Sequence, residues 1–323
     1  MKAIVYHHYG APDVIQCEEI EKPTVGDTQV LIKVCAAAVN PLDWHYLRGK
    51  PYIMRLQFGL RTPKDTRLGV DVAGVVEAVA KNVTEFKPGD AVFGSCSGAF
   101  AEYACAGEKA LVKKPENVTF EQAAAVPVAA FTALQGLRDY GQLQPGQQVL
   151  INGAAGGVGT FAVQIAKALG ATVTGVCSTR NVELVRSLGA AQVLDYTKID
   201  FTQSGQRFDL FLDCIGNHSL TACRRVLQPK GNYVIVGGPD GRWLGPLTRG
   251  VKAILLDRFV NQKLVMFIAK TNKADLAFMR DLLADGKVKP VIDRCYPLQE
   301  TPAAIRYLEA GHARGKVIVT GRE

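Results

Sequence analysis

The sequence predicts an α/β protein with a β-rich N-terminal part, a doubly wound parallel sheet, and a C-terminal segment that returns to the first part. Three observations carry this reading. From about residue 149 to 236, short apolar runs alternate with helical patterns, which implies βαβ crossovers. Inside that region a knot of glycines interrupts "VLINGAAGGVGTFAVQIAKALGATVTGVCSTRN" (149–181), between a strand-like run and a helix. Residues 1 to about 120 instead hold short β-prone runs parted by turn signals.

Length and composition fit two domains. A chain of 323 residues buries ample core, and 48% hydrophobic with 21% charged residues excludes a disordered chain. No apolar run reaches the roughly 18 residues needed to span a bilayer. The opening "MKAIVYHHYGAPD" has no signal-peptide core, so a cytoplasmic protein is expected. The eight cysteines are scattered without a CxxC pair and read as free thiols of a reducing compartment. The formal net charge of +8 is spread without basic blocks. It suits a small polyanionic ligand better than nucleic acid, and no nucleic-acid partner is expected.

In chain order, "TQVLIKVCAAAV" (28–39), "GVVEAVA" (74–80), "DAVFG" (90–94) and "GAFAEYAC" (98–105) predict strands, separated by turns such as "KPGD" (87–90). Their irregular spacing favours a small rolled barrel. "KPYIMRLQFGLRTPKDTR" (50–67) reads as a basic, loop-like connection. Composition shifts near 120, where "FEQAAAVPVAAFTALQGL" is small and helical. Strands follow at 149–152, 172–177, 191–195, 208–213 and 232–236, with helices at 157–169, 181–188 and 219–227. In the first of these helices Val158, Phe161, Ala162, Ile165, Ala166 and Leu169 share one face. "LVMFIA" (264–269) predicts an edge strand of the same sheet. The tail adds two amphipathic helices, ended by Gly286 and Gly311, and a last strand in "GKVIVT". It is too small for a domain of its own. The expected division is 1–121 with 266–323, and 122–265.

The glycine knot, Gly153-Ala154-x-Gly156-Gly157-Val158-Gly159, has the strand-before, helix-after context of a dinucleotide site. Glycines let backbone approach a pyrophosphate, and the helix N-terminus offers unpaired N–H groups and a positive dipole end. About twenty residues further, NAD sites usually place an acid for the ribose hydroxyls. Here the second strand leads into Ser178, Thr179, Arg180 and Asn181, with no carboxylate before Glu183. An acid would repel a 2′-phosphate; Ser178 and Arg180 would hold one. The cofactor read from the residues is therefore NADP(H). The alternative is that Arg180 only caps the next helix.

At this point the chain resembles the medium-chain dehydrogenase/reductase superfamily, in its zinc-independent quinone oxidoreductase branch. It looks most like the chloroplast-envelope quinone oxidoreductase homologues and the alkenal or enone reductases. The resemblance runs through "AAAVNPLDWHYLRG" (36–49), "GVDVAGVVEAVAKNVTEFKPGDAVFG" (69–94), "GAFAEY" (98–103), "AAVPVAAFTALQGL" (124–137), "INGAAGGVGTFAVQIAKALGATV" (151–173), "DCIG" (213–216), "GNYVIVGG" (231–238), "GKVKPVID" (286–293) and "GHARGKVIV" (311–319). It covers nearly the whole chain, in order. It implies a GroES-like N-terminal domain, a Rossmann domain, and a cofactor and substrate in the cleft between them. It also implies roles. Gly156, Gly157, Val158 and Gly159 would meet the pyrophosphate. Ser178, Arg180 and Tyr196 would surround the 2′-phosphate. Ile215, Val236 and Gly237, with Gly238 beside them, would border the ribose and nicotinamide. Asn40 and Thr132 would lie at the nicotinamide end, and Lys316 would approach the cofactor from the tail.

The zinc enzymes of that superfamily carry a catalytic Cys, a His-Glu pair and a further Cys or Asp. The first place is Asn40 here and the His place is Val70; neither side chain replaces a thiolate or imidazole on zinc. The four-cysteine structural lobe is missing, and no metal is expected. Without a Lewis acid, alcohol oxidation lacks its alkoxide stabiliser. A quinone or enone spreads the arriving hydride's charge itself. The expected activity is therefore NADPH-dependent reduction of quinones or α,β-unsaturated carbonyls. Two other readings stay open: an NADP-dependent alcohol or carbonyl oxidoreductase, and a non-catalytic NADPH-binding protein. His45, where quinone reductases often carry Tyr, is the candidate proton donor, with Tyr46 and Tyr52 behind it. Asp43 reads as an orienting group. The Tyr46-x-x-x-Lys50 spacing matches short-chain dehydrogenases only by chance, since it precedes the glycine motif. An acceptor pocket is expected from 45–60 and 239–265, with Trp243 and Phe259 shaping it. The apolar edge strand suggests a homodimer.

Overall fold

Among the residues that the computed structural model describes (1–237, 250–253, 255–256 and 260–321), strands form in this order: β1 (Lys2–Val5), β2 (Gln16–Glu19), β3 (Gln29–Val39), β4 (Asp71–Val79), β5 (Ala91–Ser95), β6 (Tyr103–Gly107), β7 (Leu111–Lys113), β8 (Gln148–Asn152), β9 (Thr172–Cys177), β10 (Gln192–Asp195), β11 (Phe208–Asp213), β12 (Leu227–Ile235), β13 (Lys263–Met266), β14 (Ile292–Pro297) and β15 (Lys316–Thr320). They fall into two units. One comprises Met1–Ala129, Thr271–Gly286 and Pro290–Glu323; the other comprises Ala130–Lys270 and Lys287–Lys289.

The first unit is the GroES-like one. Its sheet has the order β14-β15-β3-β4-β5-β7, and β6 pairs with β3 as well. The eleven-residue β3 thus meets β15, β4 and β6. Two register shifts against β4 let it coil. Ile32, Val34, Val72, Val92, Phe100, Leu111 and Val317 fill the interior. Two expectations change here. The 98–105 run starts its strand only at Tyr103, because Gly98, Ala99 and Phe100 turn their N–H groups onto the Gly69 and Leu68 carbonyls. The 50–67 connection is not all loop: Tyr52–Met54 makes a 3-10 turn and Arg55–Phe58 a helical turn.

The second unit is the Rossmann one. Its six parallel strands run in the order β10-β9-β8-β11-β12-β13, the doubly wound arrangement. Sheets covered on both faces read as continuous apolar runs, and Val149–Asn152 of β8 is buried throughout. The Gly157–Ala168 helix after β8 is buried at every residue from Gly159 to Ala166, not along one stripe. Its polar Gln164 is satisfied inside, bonding the Thr160 and Lys289 carbonyls and the Lys289 N–H. The helix expected at 219–227 is shorter, Leu220–Arg225, because Leu227 already pairs with Phe208. The ladder then skips to Asn232, which leaves Pro229 outside it. The strand expected at 264–269 stops at Met266, where Phe267 leaves to stack on Tyr140 at 4.3 Å.

Candidate active site

The glycine turn is built from backbone. Gly153 takes a left-handed φ of 82°, and the N–H groups of Gly153 and Ala154 both reach the Val176 carbonyl of β9. Gly156 is the N-cap, and the first intrahelical bond runs from the Thr160 N–H to its carbonyl. The N–H groups of Gly157, Val158 and Gly159 precede that bond and are the ones a helix start offers to an anion. A Cβ on Gly159 would fall on the Gly153 carbonyl oxygen and Ala154 Cα, whereas one on Gly156 would meet only that oxygen, at 3.4 Å. The cradle therefore fits a phosphate held by backbone.

At the end of β9, Ser178 is half-buried, and Thr179 and Arg180 are exposed. Tyr196 joins them from the end of β10: its N–H bonds the Cys177 carbonyl and its side chain is 58% exposed. The turn also holds an acid that sequence distance concealed. Asp195 is Cys177's partner in the ladder, so its carboxylate lies beside Thr179. It accepts from Thr179 Oγ1 at 2.6 Å, from Thr197 Oγ1 at 2.7 Å and from the Thr197 N–H, with Lys198 Nζ at 3.7 Å. The Thr179 bond above all holds its carboxyl below the usual range.

A second buried acid ties the neighbouring loop. Asp213 ends β11 fully buried and accepts from Asn152 Nδ2, the Ile215 and Gly216 N–H groups and Tyr233 Oη. Ile215 is held half-exposed, and its tip would meet a Cβ on Gly153. The Val236 and Gly237 N–H groups both bond the Asp213 carbonyl. The structure thus gathers Gly153, Ile215, Val236 and Gly237 at the strand ends. Thr132 is half-buried in the Pro127–Gln135 helix. Gly238, Trp243 and Phe259 lie outside the described residues.

The GroES-like unit holds a different cluster. Asn40, Asp43, Asp71 and Lys316 are all buried. Asn40 caps the Pro41–Arg48 helix; Asp43, three residues on, accepts its backbone N–H at 2.7 Å. Asn40 Nδ2 donates to Asp71 Oδ2 at 2.9 Å and to the Ala38 carbonyl at 3.2 Å. Lys316 Nζ donates to Asn40 Oδ1 at 2.5 Å and to the Val39 carbonyl at 3.3 Å, and stands 3.6 Å from Asp71 Oδ2. Asp71 Oδ1 accepts the Val128 N–H. Burial pushes the Asp71 carboxyl up and the Lys316 ammonium down, each opposed by the other's charge. Asp43 is pushed up to about 7 by burial, against the pull of the Asn40 N–H. Its Oδ1 has no partner at hydrogen-bond distance.

On the same short helix, His45 Nδ1 lies 2.9 Å from the Lys50 carbonyl. A carbonyl only accepts, so Nδ1 carries the proton, and Nε2 donates only from the doubly protonated ring. Tyr46 is half-buried, edge-on to Phe58 at 4.8 Å, and burial raises its phenol. Tyr52 lies under the Arg55 guanidinium, which also covers Tyr9. His45, Tyr46, Tyr9, Arg55 and Phe58 lie around one shallow depression that opens to solvent. Among the described residues no three His, Cys, Asp or Glu side chains converge as a metal site would require. No described helix is long and apolar enough to cross a membrane.

Sequence reasoning missed Asp71, Asp195 and Asp213. Each ends or begins an apolar strand, as in "GVDVAGVV" and "DLFLDCIG", and a lone carboxylate in such a run was the available signal.

Comparison with known proteins covers the whole chain. A model of the alcohol dehydrogenase GroES-like domain matches residues 26–116, and one of zinc-binding dehydrogenases matches 188–319. The chloroplast envelope quinone oxidoreductase homolog of Arabidopsis thaliana is 35% identical over 99% of this chain and 98% of its own length. The NADPH-dependent alkenal/one oxidoreductase of the same plant, also chloroplastic, is 36% identical over 99% of this chain and 79% of its own. The solved quinone oxidoreductase of Coxiella burnetii superposes with a TM-score of 0.87 at 29% identity, covering 100% of this chain and 99% of that one.

Proposed function

The chain belongs to the medium-chain dehydrogenase/reductase superfamily, and we propose that it is a zinc-independent, NADPH-dependent reductase of quinones or α,β-unsaturated carbonyls. The observation that carries the cofactor is the end of β9. Ser178 and Arg180 stand there without a free acid, because Asp195 already accepts from Thr179 and Thr197. A 2′-phosphate meets donors at that point instead of a competing charge. Gly157, Val158 and Gly159 hold the pyrophosphate, and Gly153 and Ala154 shape its turn. Tyr196 lies against the adenosine end; Ile215, Val236 and Gly237 border the ribose and nicotinamide, with Thr132. When bound, the reduced nicotinamide supplies a hydride.

The rest of the chemistry falls to the chain's own side chains. Asn40 and Val70 stand where zinc enzymes of the superfamily place Cys and His, and neither is a zinc ligand. An acceptor that delocalises the incoming charge then needs only positioned hydrogen bonds. His45, as the imidazolium, and the Tyr46 phenol donate to its oxygen; Tyr52 helps hold Arg55 in the same wall. The division we propose is a GroES-like domain of 1–121 with 266–323 and a Rossmann domain of 122–265. The eight cysteines form no disulfide, which suits a reducing compartment such as the cytoplasm. β13, the last strand of the sheet among the described residues, is proposed to pair with its copy in a homodimer, and monomer mass in light scattering would remove that part.

The test is oxidation of NADPH and NADH with 1,4-benzoquinone, 9,10-phenanthrenequinone, methyl vinyl ketone and a 2-alkenal, with and without chelator. Chelator-resistant turnover preferring NADPH is expected. Turnover lost to chelator, or seen only with an alcohol and NADP+, would replace this reading by the alcohol dehydrogenase one. NADPH binding without any turnover would replace it by a binding protein.

A further inference from the structure

We infer that Lys316 is a positioning residue that, with Asp71, locks the Asn40 carboxamide in one orientation and makes it an acceptor towards any ligand. The kinetic part rests on the reductase reading above; the structural part does not. A side-chain amide has nearly the same shape either way round, and only its partners tell oxygen from nitrogen. Here they do so three times. An ammonium can only donate, and it meets Oδ1 at 2.5 Å. A carboxylate and a carbonyl can only accept, and Asp71 and Ala38 meet Nδ2 at 2.9 and 3.2 Å. The flipped amide would set N–H against N–H and oxygen against two oxygens. All three residues are at most 3% exposed, so water does not screen the mismatch.

The fold brings these groups together from far apart in sequence. Asp71 opens β4 opposite Ala38, and Lys316 opens β15 just beyond the pairing of Val317 with Val39. Gly315 makes that start feasible: its φ is 93°, and a Cβ there would strike the Val291 carbonyl. The ammonium donates to Asn40 Oδ1 and the Val39 carbonyl and pairs with Asp71 Oδ2 at 3.6 Å. Buried against these groups, Lys316 is placed to act through Asn40. Both Nδ2 hydrogens of Asn40 are committed as well. The polar valence left for a ligand is the second lone pair of Oδ1, which accepts an N–H or O–H.

The experiment uses the full chain, labelled with 15N-asparagine, and follows the Asn40 side-chain NH2 signal, assigned by its loss in Asn40→Ala. Slow hydrogen exchange is expected in the parent protein and fast exchange in Lys316→Met. In parallel, Lys316→Met is expected to lower kcat by about tenfold to a hundredfold, the scale of a misplaced positioning group, with the NADPH Kd within about twofold. In an Asn40→Ala background Lys316→Met should cost nothing further. If Lys316→Met does not fold because Asp71 is left a buried charge, Lys316→Met/Asp71→Asn removes both charges and should show the same fast exchange. Unchanged slow exchange, or independent losses in the two variants with weakened NADPH binding, would overturn the inference. A parent protein that reduces no quinone or enone, yet keeps the Asn40 protons protected, rejects the reductase and sustains the lock.

Discussion

The glycine turn after β8 and the Asn40–Asp71–Lys316 cluster solve opposite problems with opposite materials. The turn offers backbone: glycines at 153 and 159 clear space, and the N–H groups of the helix start are left to meet an anion. The cluster works through side chains: a lysine, two carboxylates and an amide, buried together and drawn from two strands, a helix and its N-cap. Backbone donors do not titrate and cannot flip. Buried ionisable side chains do both unless every partner is in place. The nucleotide unit should therefore be sensitive to added volume and nearly indifferent to pH, and the GroES-like unit the reverse.

The largest expected effect tests the volume half. Gly159→Ala should destabilise the protein by about 3 kcal/mol or more, as backbone has to move. Gly156→Ala should cost less than about 1 kcal/mol, since an N-cap Gly has little capping to lose. Urea denaturation of both variants checks it, and equal costs would break the steric account of the turn. A smaller effect separates backbone from side chain within the nucleotide unit. Arg180→Ala should lower the NADPH-over-NADH preference in kcat/KM roughly tenfold to a hundredfold, the worth of one charge-assisted contact. A preference that does not move would return Arg180 to a helix cap.

The smallest effect probes pH. The folded Asp43 carboxyl is raised to about 7 by burial, above its unfolded value of about 3.9. The folded state then holds a proton that the unfolded chain has lost. This contribution is fully present below about pH 3.9 and disappears as pH rises through about 7. Asp43→Asn should accordingly gain on the parent protein as pH rises from about 4 to about 8. Denaturant midpoints across that range measure it. A parallel pair of curves would mean that Asp43 is ionised in the fold throughout.

The same contrast decides what could be read in advance. The turn is local: strand, glycines, helix and second strand lie within about thirty residues, the length of one βαβ unit, so spacing alone placed Gly153 to Gly159 and led on to Ser178 and Arg180. Asp195 was invisible there because parallel pairing, not sequence distance, sets it beside Cys177. The strand limits at 227 and 266 also escaped, since a ladder register and the stacking of Phe267 on Tyr140 fixed them.

By itself the sequence determined the αβ alternation, the glycine turn between strand and helix and the absence of thiolate and imidazole at Asn40 and Val70, because each depends on residue type at short range. Only the tertiary structure decided that Asp71 and Lys316 meet on Asn40, that Asp213 anchors the loop beside Gly153, and that Asp43 is left half-satisfied. Those facts depend on burial and on partners tens to hundreds of residues away, and a buried charge acquires its meaning only from what is packed against it.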